Sequence, residues 1–129
     1  MAALYTPLIL DHCAHPRNYG TLDPYDISYE AENSLCGDRV RIDLRLEKDT
    51  VAAIRFSGTG CAVSQAATSL LTLIVDGTDL SFITSLQPDD LLAQLAVPLT
   101  TSRRQCALLG LQVLQAGVAS HADRLVAIH

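Results

Sequence analysis

The stretch VRIDLRLEKDTVAAIRF, residues 40–56, contains the pattern that decides the fold. Apolar and polar residues alternate over residues 40–46 and again over 51–56, which is the period of a β-strand with one buried face. On the first of these strands we expect the face that carries Asp43 and its neighbouring arginines to be solvated. Residues 47–50, EKDT, are turn formers. The stretch therefore predicts a β-hairpin.

The segments on either side of this hairpin extend the prediction to the whole chain. Apolar residues recur at helical spacing over residues 4–15, and Pro16 ends that pattern. Residues 27–32 alternate as a further strand. Helical spacing also predicts helices over 61–76, 80–85, 88–95, 102–116 with Ser102 as its cap, and 121–129. The order helix, three strands, then helices predicts a single α+β domain over residues 1–129.

Composition and charge exclude several classes of protein. The 129 residues carry a net charge of −5, with a single lysine and eight dispersed arginines, so no basic stripe is available for nucleic acid. The N-terminal residues lack the pattern of a secretory signal, and no apolar run has the length that spans a membrane. We therefore expect a cytoplasmic protein with neither a nucleic acid nor a membrane as its partner.

The cysteines are the residues that point to function. In a reducing compartment, four cysteines indicate metal or redox chemistry rather than two disulfides. Three of them, Cys36, Cys61 and Cys106, lie near the ends of predicted elements, where a site can be built without disrupting a core. Cys61 would gain from the positive end of its helix, which favours the thiolate. A thiolate is both a nucleophile and a metal ligand.

Asp38 follows Cys36 by two residues, so in an extended segment both side chains project to the same face. Cys36, Asp38, Cys61 and Cys106 together make a set of three thiolates and one carboxylate. This set suits zinc or iron, while the carboxylate holds an iron–sulfur cluster less firmly than a fourth thiolate would. The expected site can therefore take up a metal or cluster and also release it.

Other interpretations of these residues remain possible at this stage. Free cysteines are often buried in cores, so the cysteines alone do not establish a metal site. Cys13 lies on the apolar stripe of the first predicted helix, and we expect it to be a core residue. We expect His12 and His15 to be solvated or capping rather than ligands, and we assign no role to His121 or His129.

Four sequence motifs resemble, in order, those of the iron–sulfur cluster scaffolds related to IscU, SufU and the N-terminal domain of NifU. The motifs are LYTPLILDHCAHPRNYG, ENSLCGDRV, FSGTGCAVSQAATSLL and RRQCALLGL. They cover nearly the whole chain. The resemblance implies a small three-stranded antiparallel sheet packed by helices.

The resemblance also implies a function and a role for each residue of the set. Cys36, Asp38, Cys61 and Cys106 would hold a transient [2Fe–2S] cluster, which is then passed to apo iron–sulfur proteins or to carrier proteins. A cysteine desulfurase would deliver the sulfur as a persulfide, with Cys106 as the acceptor. The protein would be a scaffold or carrier rather than an enzyme. Whether it forms homo-oligomers stays open.

The departures from this resemblance leave its branch open. The branch served by an Hsp70-type chaperone carries Leu-Pro-Pro-Val-Lys and a histidine before the third cysteine, whereas this chain reads AVPLTTSRRQC, so that chaperone contact is in doubt. Arg103 resembles the SufU branch, which holds zinc, but the insertion of that branch is missing between Cys61 and Cys106. The alternatives are a zinc-dependent sulfurtransferase with the same ligands and, third, a zinc site that is only structural.

Overall fold

The computed structural model describes residues 6–33, 37–95 and 99–128, with side-chain surroundings up to residue 123. In chain order, the helices and strands of this part are α1 (Pro7–Ala14), β1 (Ile27–Asn33), β2 (Asp38–Glu47), β3 (Thr50–Thr59), α2 (Ala62–Val75), α3 (Leu80–Ser85), α4 (Pro88–Leu95) and α5 (Thr101–Ile128). The predicted α+β class is confirmed. The predicted helices 61–76, 80–85 and 88–95 agree with α2, α3 and α4 to within a residue.

The sheet is antiparallel throughout and has the strand order β1-β2-β3. The predicted hairpin is confirmed, with Lys48 and Asp49 between the paired residues Glu47 and Thr50. Lys48 has φ +58°, a left-handed conformation that lets the chain reverse over two residues. All three strands are longer than predicted, and β2 begins at Asp38. The start of β2 therefore belongs both to the sheet and to the expected site.

The core lies between one face of the sheet and the helices α2 and α5. Ile42, Leu44 and Phe56 contribute to it from the strands and are almost completely buried. Leu71 of α2 and Leu114 of α5 are buried against them. Burying side chains of this size contributes about 1.5–3 kcal/mol each, which makes this layer the main source of stability.

The prediction that the Asp43 face of β2 is solvated is confirmed at Arg39, which is exposed, but was wrong at Asp43, because the segment after α1 covers that residue. Asp43 is 1% exposed. Its carboxylate accepts hydrogen bonds from the Leu22 N–H at 3.0 Å and the Ser28 hydroxyl at 2.7 Å, and pairs with Arg41 at 2.9 Å. Burial alone would raise the pKa of Asp43, but the hydrogen bonds outweigh burial and the pKa is lowered. Alternation alone does not reveal a loop that folds back over the polar face.

The prediction of two C-terminal helices was also wrong, because α5 runs unbroken through Gly117. A Cβ on Gly117 would lie 3.1 Å from the Tyr29 Cβ, so the glycine allows the helix to pass close over β1. This packing outweighs the low helix propensity of glycine. The cap differs too: α5 begins at Thr101, and the Arg103 N–H donates to Thr100 Oγ1 at 3.3 Å, whereas Ser102 lies inside the helix.

No helix in the described part of the chain is both long and apolar enough to cross a membrane.

We expect Asp43→Asn to lower the free energy of unfolding by about 2 kcal/mol at pH 7, because the change weakens buried hydrogen bonds to a charged group. Since the folded-state pKa of Asp43 lies below its unfolded value near 3.8, this stabilisation is present above that pH and is lost as the pH falls through the folded-state pKa. Urea unfolding at pH 7 and pH 3 measures both effects. Asp49→Asn, exposed on the same hairpin, is the control. Equal stability of both variants at pH 7 would contradict this role of Asp43.

Candidate metal centre

Cys61 stands at the N-terminus of α2, as its capping residue. Its backbone is extended, with φ −72° and ψ 168°, and its side chain makes no capping hydrogen bond. The helix begins at Ala62, where the apolar stripe that packs on the sheet begins. The start of α2 therefore fixes the position of the Cys61 thiol, although the thiol does not cap the helix.

Asp38 lies beside Cys61 because the start of β2 and the start of α2 meet. The Asp38 side chain is 3% exposed. Its Oδ1 accepts a hydrogen bond from the Cys61 N–H at 3.1 Å, and its Oδ2 lies 4.0 Å from Cys61 Sγ. One carboxylate oxygen is thus held by backbone, and the other faces a thiol.

Cys106 reaches the same place from α5 and is 5% exposed. Ligand atoms of Asp38, Cys61 and Cys106 all lie within 4.8 Å of one another. Ligands of one tetrahedral zinc lie about 3.5–3.8 Å apart, given bonds of about 2.0–2.3 Å. A shift of roughly 1 Å or less in these side chains would therefore let all three bind one ion. The donor set of two thiolates and a carboxylate fits zinc or iron.

The three side chains face an opening of about 550 Å³ at the surface. The residues that line it are Gly37, Asp38, Gly60, Cys61, Ser102, Arg103 and Cys106. Cys61 is partly exposed there, whereas Asp38 and Cys106 line the opening but are almost completely buried. Arg103 brings a positive charge to a site whose thiol and carboxyl ligands bind metal in their negatively charged forms.

Cys36, the fourth predicted ligand, lies outside the described residues. Asn33 and Gly37 are described on either side of it, and the Gly37 N–H donates to the Asn33 carbonyl at 2.7 Å. The structure thus brings together three of the four predicted site residues. The role of Cys36 stays a prediction.

The glycines around the site have different functions. A Cβ on Gly58 would lie 2.0 Å from the Arg39 carbonyl oxygen, and Gly58 has φ +139°, so this glycine serves the pairing of β2 with β3. A Cβ on Gly60 would lie 3.0 Å from Asp38 Oδ1, so this glycine makes room for the carboxylate. Of these two glycines, Gly60 is therefore the one that shapes the site.

Cys13 is half-buried and packs against the core, close to the site but not in the ligand group. Its thiol donates to the Ala62 carbonyl at 3.1 Å. Burial raises the pKa of Cys13, and the neighbouring Cys61 raises it further. The Cys13 thiol therefore stays protonated more readily, which makes it a poorer nucleophile and ligand.

The prediction that His12 is solvated or capping was wrong, because α1 packs on α2. His12 is 3% exposed, and its Nδ1 lies 2.7 Å from the Ser69 hydroxyl. The Arg17 N–H donates to the same hydroxyl at 2.8 Å. Burial lowers the pKa of His12, and the charge of Arg17 lowers it further. His12 therefore joins α1 to α2 as a neutral residue, while His15 is exposed as predicted.

Two residues that lie next to the site were not identified from the sequence. Ser64, on the first turn of α2, is completely buried, and its hydroxyl has no hydrogen-bond partner in the described part of the chain. Gly110 allows α5 to approach α2, since a Cβ there would lie 2.6 Å from Thr68 Oγ1. The available signals were a serine within an apolar stripe and a glycine one helical turn after Cys106.

The chain is similar in sequence to proteins described as a zinc-dependent sulfurtransferase and as an iron–sulfur cluster assembly scaffold. The sequence model described as NifU-like N terminal domain matches residues 4–127. The zinc-dependent sulfurtransferase SufU of Bacillus subtilis is 32% identical to this chain, with 90% of each chain covered. The iron–sulfur cluster assembly scaffold protein IscU of Aquifex aeolicus is 28% identical, over 94% of this chain and 78% of that one.

Solved structures show the same fold at lower identity. The SUF-system protein FiSufU from Fervidobacterium islandicum superimposes with a TM-score of 0.79 at 20% identity, covering 91% of this chain and 98% of that one. A NifU-like N-terminal protein from Brucella abortus gives a TM-score of 0.77 at 17% identity, over 95% and 97%. The predicted antiparallel sheet packed by helices is thereby confirmed.

We expect Cys61→Ser to lower the affinity for Co²⁺ at least tenfold and to weaken the sulfur-to-metal charge-transfer band, because a thiolate ligand is lost. Cys13→Ser is the matched control, since it removes a neighbouring thiol that is outside the ligand group. Titration of each metal-free variant with Co²⁺, followed by visible absorption, measures the effect. An identical loss in both variants would contradict the assignment of Cys61 as a ligand.

Proposed function

Because the chain belongs to the NifU-like N-terminal domain family, we propose that it is an iron–sulfur cluster assembly scaffold. It accepts sulfur from a cysteine desulfurase, assembles a transient [2Fe–2S] cluster with iron, and passes the cluster to apo-proteins or carrier proteins. The single observation that carries this proposal is the group of Asp38, Cys61 and Cys106 at one accessible opening. Scaffolding requires ligands that are reachable as well as suitable.

The sulfur-transfer step assigns distinct roles to the cysteines. The Cys106 thiolate attacks the terminal sulfur of the desulfurase persulfide, a new S–S bond forms on Cys106, and the desulfurase cysteine leaves as a thiolate. This transfer is redox-neutral, and the later reduction of each sulfur to the sulfide of the cluster takes two electrons, which ferrous iron and an external thiol reductant supply together. Cys36, Asp38, Cys61 and Cys106 then hold iron and the cluster as cargo. Asp38 is the weakest ligand of the set, and its carboxylate makes release possible.

A zinc-dependent sulfurtransferase is the second candidate function. It is supported by the 32% identity to a relative with that name and by Arg103, three residues before Cys106. In this case the same residues would hold Zn²⁺, and the metal would supply a positive charge that favours thiolate ligands. Cys106 would be the sulfur acceptor. The two candidate functions differ in what the protein passes on: an assembled cluster in the first and a sulfur atom in the second.

The same proposal also defines the functional domain and its partners. Residues 1–129 act as one scaffold domain, and its partners are a cysteine desulfurase and apo iron–sulfur proteins. An Hsp70-type chaperone is not included, because AVPLTTSRRQC lacks the motif expected for it. The proposal includes a cytoplasmic location without a membrane partner, and the net charge of −5 without a basic stripe supports the lack of a nucleic acid partner.

An anaerobic reconstitution separates the two candidates. Purified protein is mixed with a cysteine desulfurase, cysteine and ferrous iron, and the visible spectrum and the iron, sulfide and zinc contents are measured. We expect a cluster absorption with matching iron and sulfide that Cys36→Ser abolishes and Cys13→Ser leaves intact. Stoichiometric zinc without a cluster, together with desulfurase stimulation that is lost on zinc removal, would favour the sulfurtransferase.

The acceptor role of Cys106 is tested in the same mixture without iron. Mass spectrometry of alkylated peptides is expected to find the persulfide on Cys106. A persulfide found only on Cys36 or Cys61 would contradict the assignment, whichever of the two functions holds.

The carboxylate is expected to determine how readily the cluster leaves. Asp38→Cys should give a cluster that forms but is transferred more slowly, on the order of tenfold, because a thiolate binds iron more firmly than a carboxylate. Transfer to an apo-ferredoxin, followed by circular dichroism, measures the rate. An unchanged rate would exclude Asp38 as the ligand that favours release.

A further inference from the structure

The hydroxyl of Ser64 is a buried polar group next to the candidate metal centre. Ser64 lies on the first turn of α2, three residues after Cys61, and is 0% exposed. Its Oγ makes no hydrogen bond within the described residues. Native proteins rarely bury a hydroxyl without a partner, so such a group calls for an explanation.

The space in front of this hydroxyl is shared with Asp38. A Cβ built on Gly60 would lie 3.2 Å from Ser64 Oγ and 3.0 Å from Asp38 Oδ1. The two oxygens therefore border the same small space, which exists because residue 60 has no side chain. Because both oxygens lie within 3.2 Å of the same point, a hydrogen bond between them requires only that the Ser64 hydroxyl or the carboxylate turn toward this shared space.

The two oxygens of Asp38 already have different surroundings. Oδ1 accepts from the Cys61 N–H at 3.1 Å, whereas Oδ2 lies toward Cys61 Sγ at 4.0 Å. A carboxylate that binds a metal through one oxygen is oriented by hydrogen bonds to its other oxygen. Oδ2 is thus the oxygen that faces a metal, and Oδ1 has room for a second donor.

We propose that Ser64 is a positioning residue for the metal centre, whose hydroxyl donates to Asp38 Oδ1 when Oδ2 binds a metal. With the Cys61 N–H as the first donor and Ser64 as the second, the carboxylate is held as a ligand through one oxygen. The inference rests on the proposed metal-holding function and deepens it. Gly60 keeps the space between the two oxygens open.

The test is the Zn²⁺ affinity of Ser64→Ala, measured by competition with a chromogenic chelator. We expect a loss of about 10- to 100-fold, the usual effect of removing such a supporting group. The midpoint of urea unfolding of the metal-free protein should not fall, because the hydroxyl has no hydrogen-bond partner among the described residues that the change could remove. Unchanged zinc affinity would overturn the proposal.

Ser69→Ala is the matched control, since Ser69 is another buried serine of α2. Its hydroxyl is bonded to His12 and to the Arg17 N–H. We expect this variant to unfold at lower urea concentration while keeping its zinc affinity. A loss of affinity equal to that of Ser64→Ala would mean that general loosening of α2 explains both, and the proposal would fail.

A double variant identifies the residue through which Ser64 acts. In an Asp38→Ala background, Ser64→Ala should change zinc affinity by less than twofold, because the acceptor is absent. A full loss in that background would overturn the proposed route through Asp38. Wild-type protein that binds no zinc would overturn both this inference and the metal centre. Normal zinc binding, with neither sulfur transfer from a cysteine desulfurase nor cluster assembly, would overturn only the proposed function.

Discussion

The close crossing of α2 and α5 at Thr68 and Gly110 is the constraint on which the site depends. A Cβ on Gly110 would lie 2.6 Å from Thr68 Oγ1, so only glycine allows this approach of the two helices. Cys106 lies one helical turn before Gly110. Because each helix is rigid over a turn, the crossing fixes how far the Cys106 thiol stands from the N-terminus of α2.

The carboxylate is brought to the same point by a separate constraint within the sheet. The close pairing of Arg39 with Thr59 places the start of β2 against the end of β3, and α2 begins three residues later. The Cys61 N–H then donates to Asp38 Oδ1. Helix N-termini favour negative charge, so the carboxylate is stabilised there before any metal arrives. Two rigid layers thus converge on one carboxylate and two thiols, and neither layer needs a metal for its own packing.

The sequence predicted those parts of the structure that depend on local pattern. Alternation over residues 40–56 predicted the hairpin, and the motifs placed Asp38, Cys61 and Cys106 in one expected site, where the structure brings these three together. What escaped prediction depends on contacts between distant residues. Asp43 is buried by the segment around Leu22, and α5 continues through Gly117 because β1 lies beneath it. Neither contact produces a periodic pattern of apolar and polar residues in the sequence.

The same limit applies within the site. Cys61 and Cys106 could be recognised by residue type, because few side chains bind soft metals. Ser64 could not, since a serine in a helix has no typical role and its importance comes from Gly60 and Asp38 beside it. His12 shows the reverse error: a residue type common in metal sites lies instead against Ser69, where it joins two helices. Residue type predicts which groups can act, and packing decides which of them do.

The position of the centre also bears on the idea of a purely structural zinc. Domains that depend on zinc to fold have little core of their own, so the metal supplies the folding free energy. Here Ile42, Leu71 and Leu114 belong to a continuous core that joins the sheet to both long helices. The ligand atoms lie at the edge of this core, around an opening to solvent. A metal there can leave without removing the contacts that hold the chain together, which is the property that a centre for transfer requires.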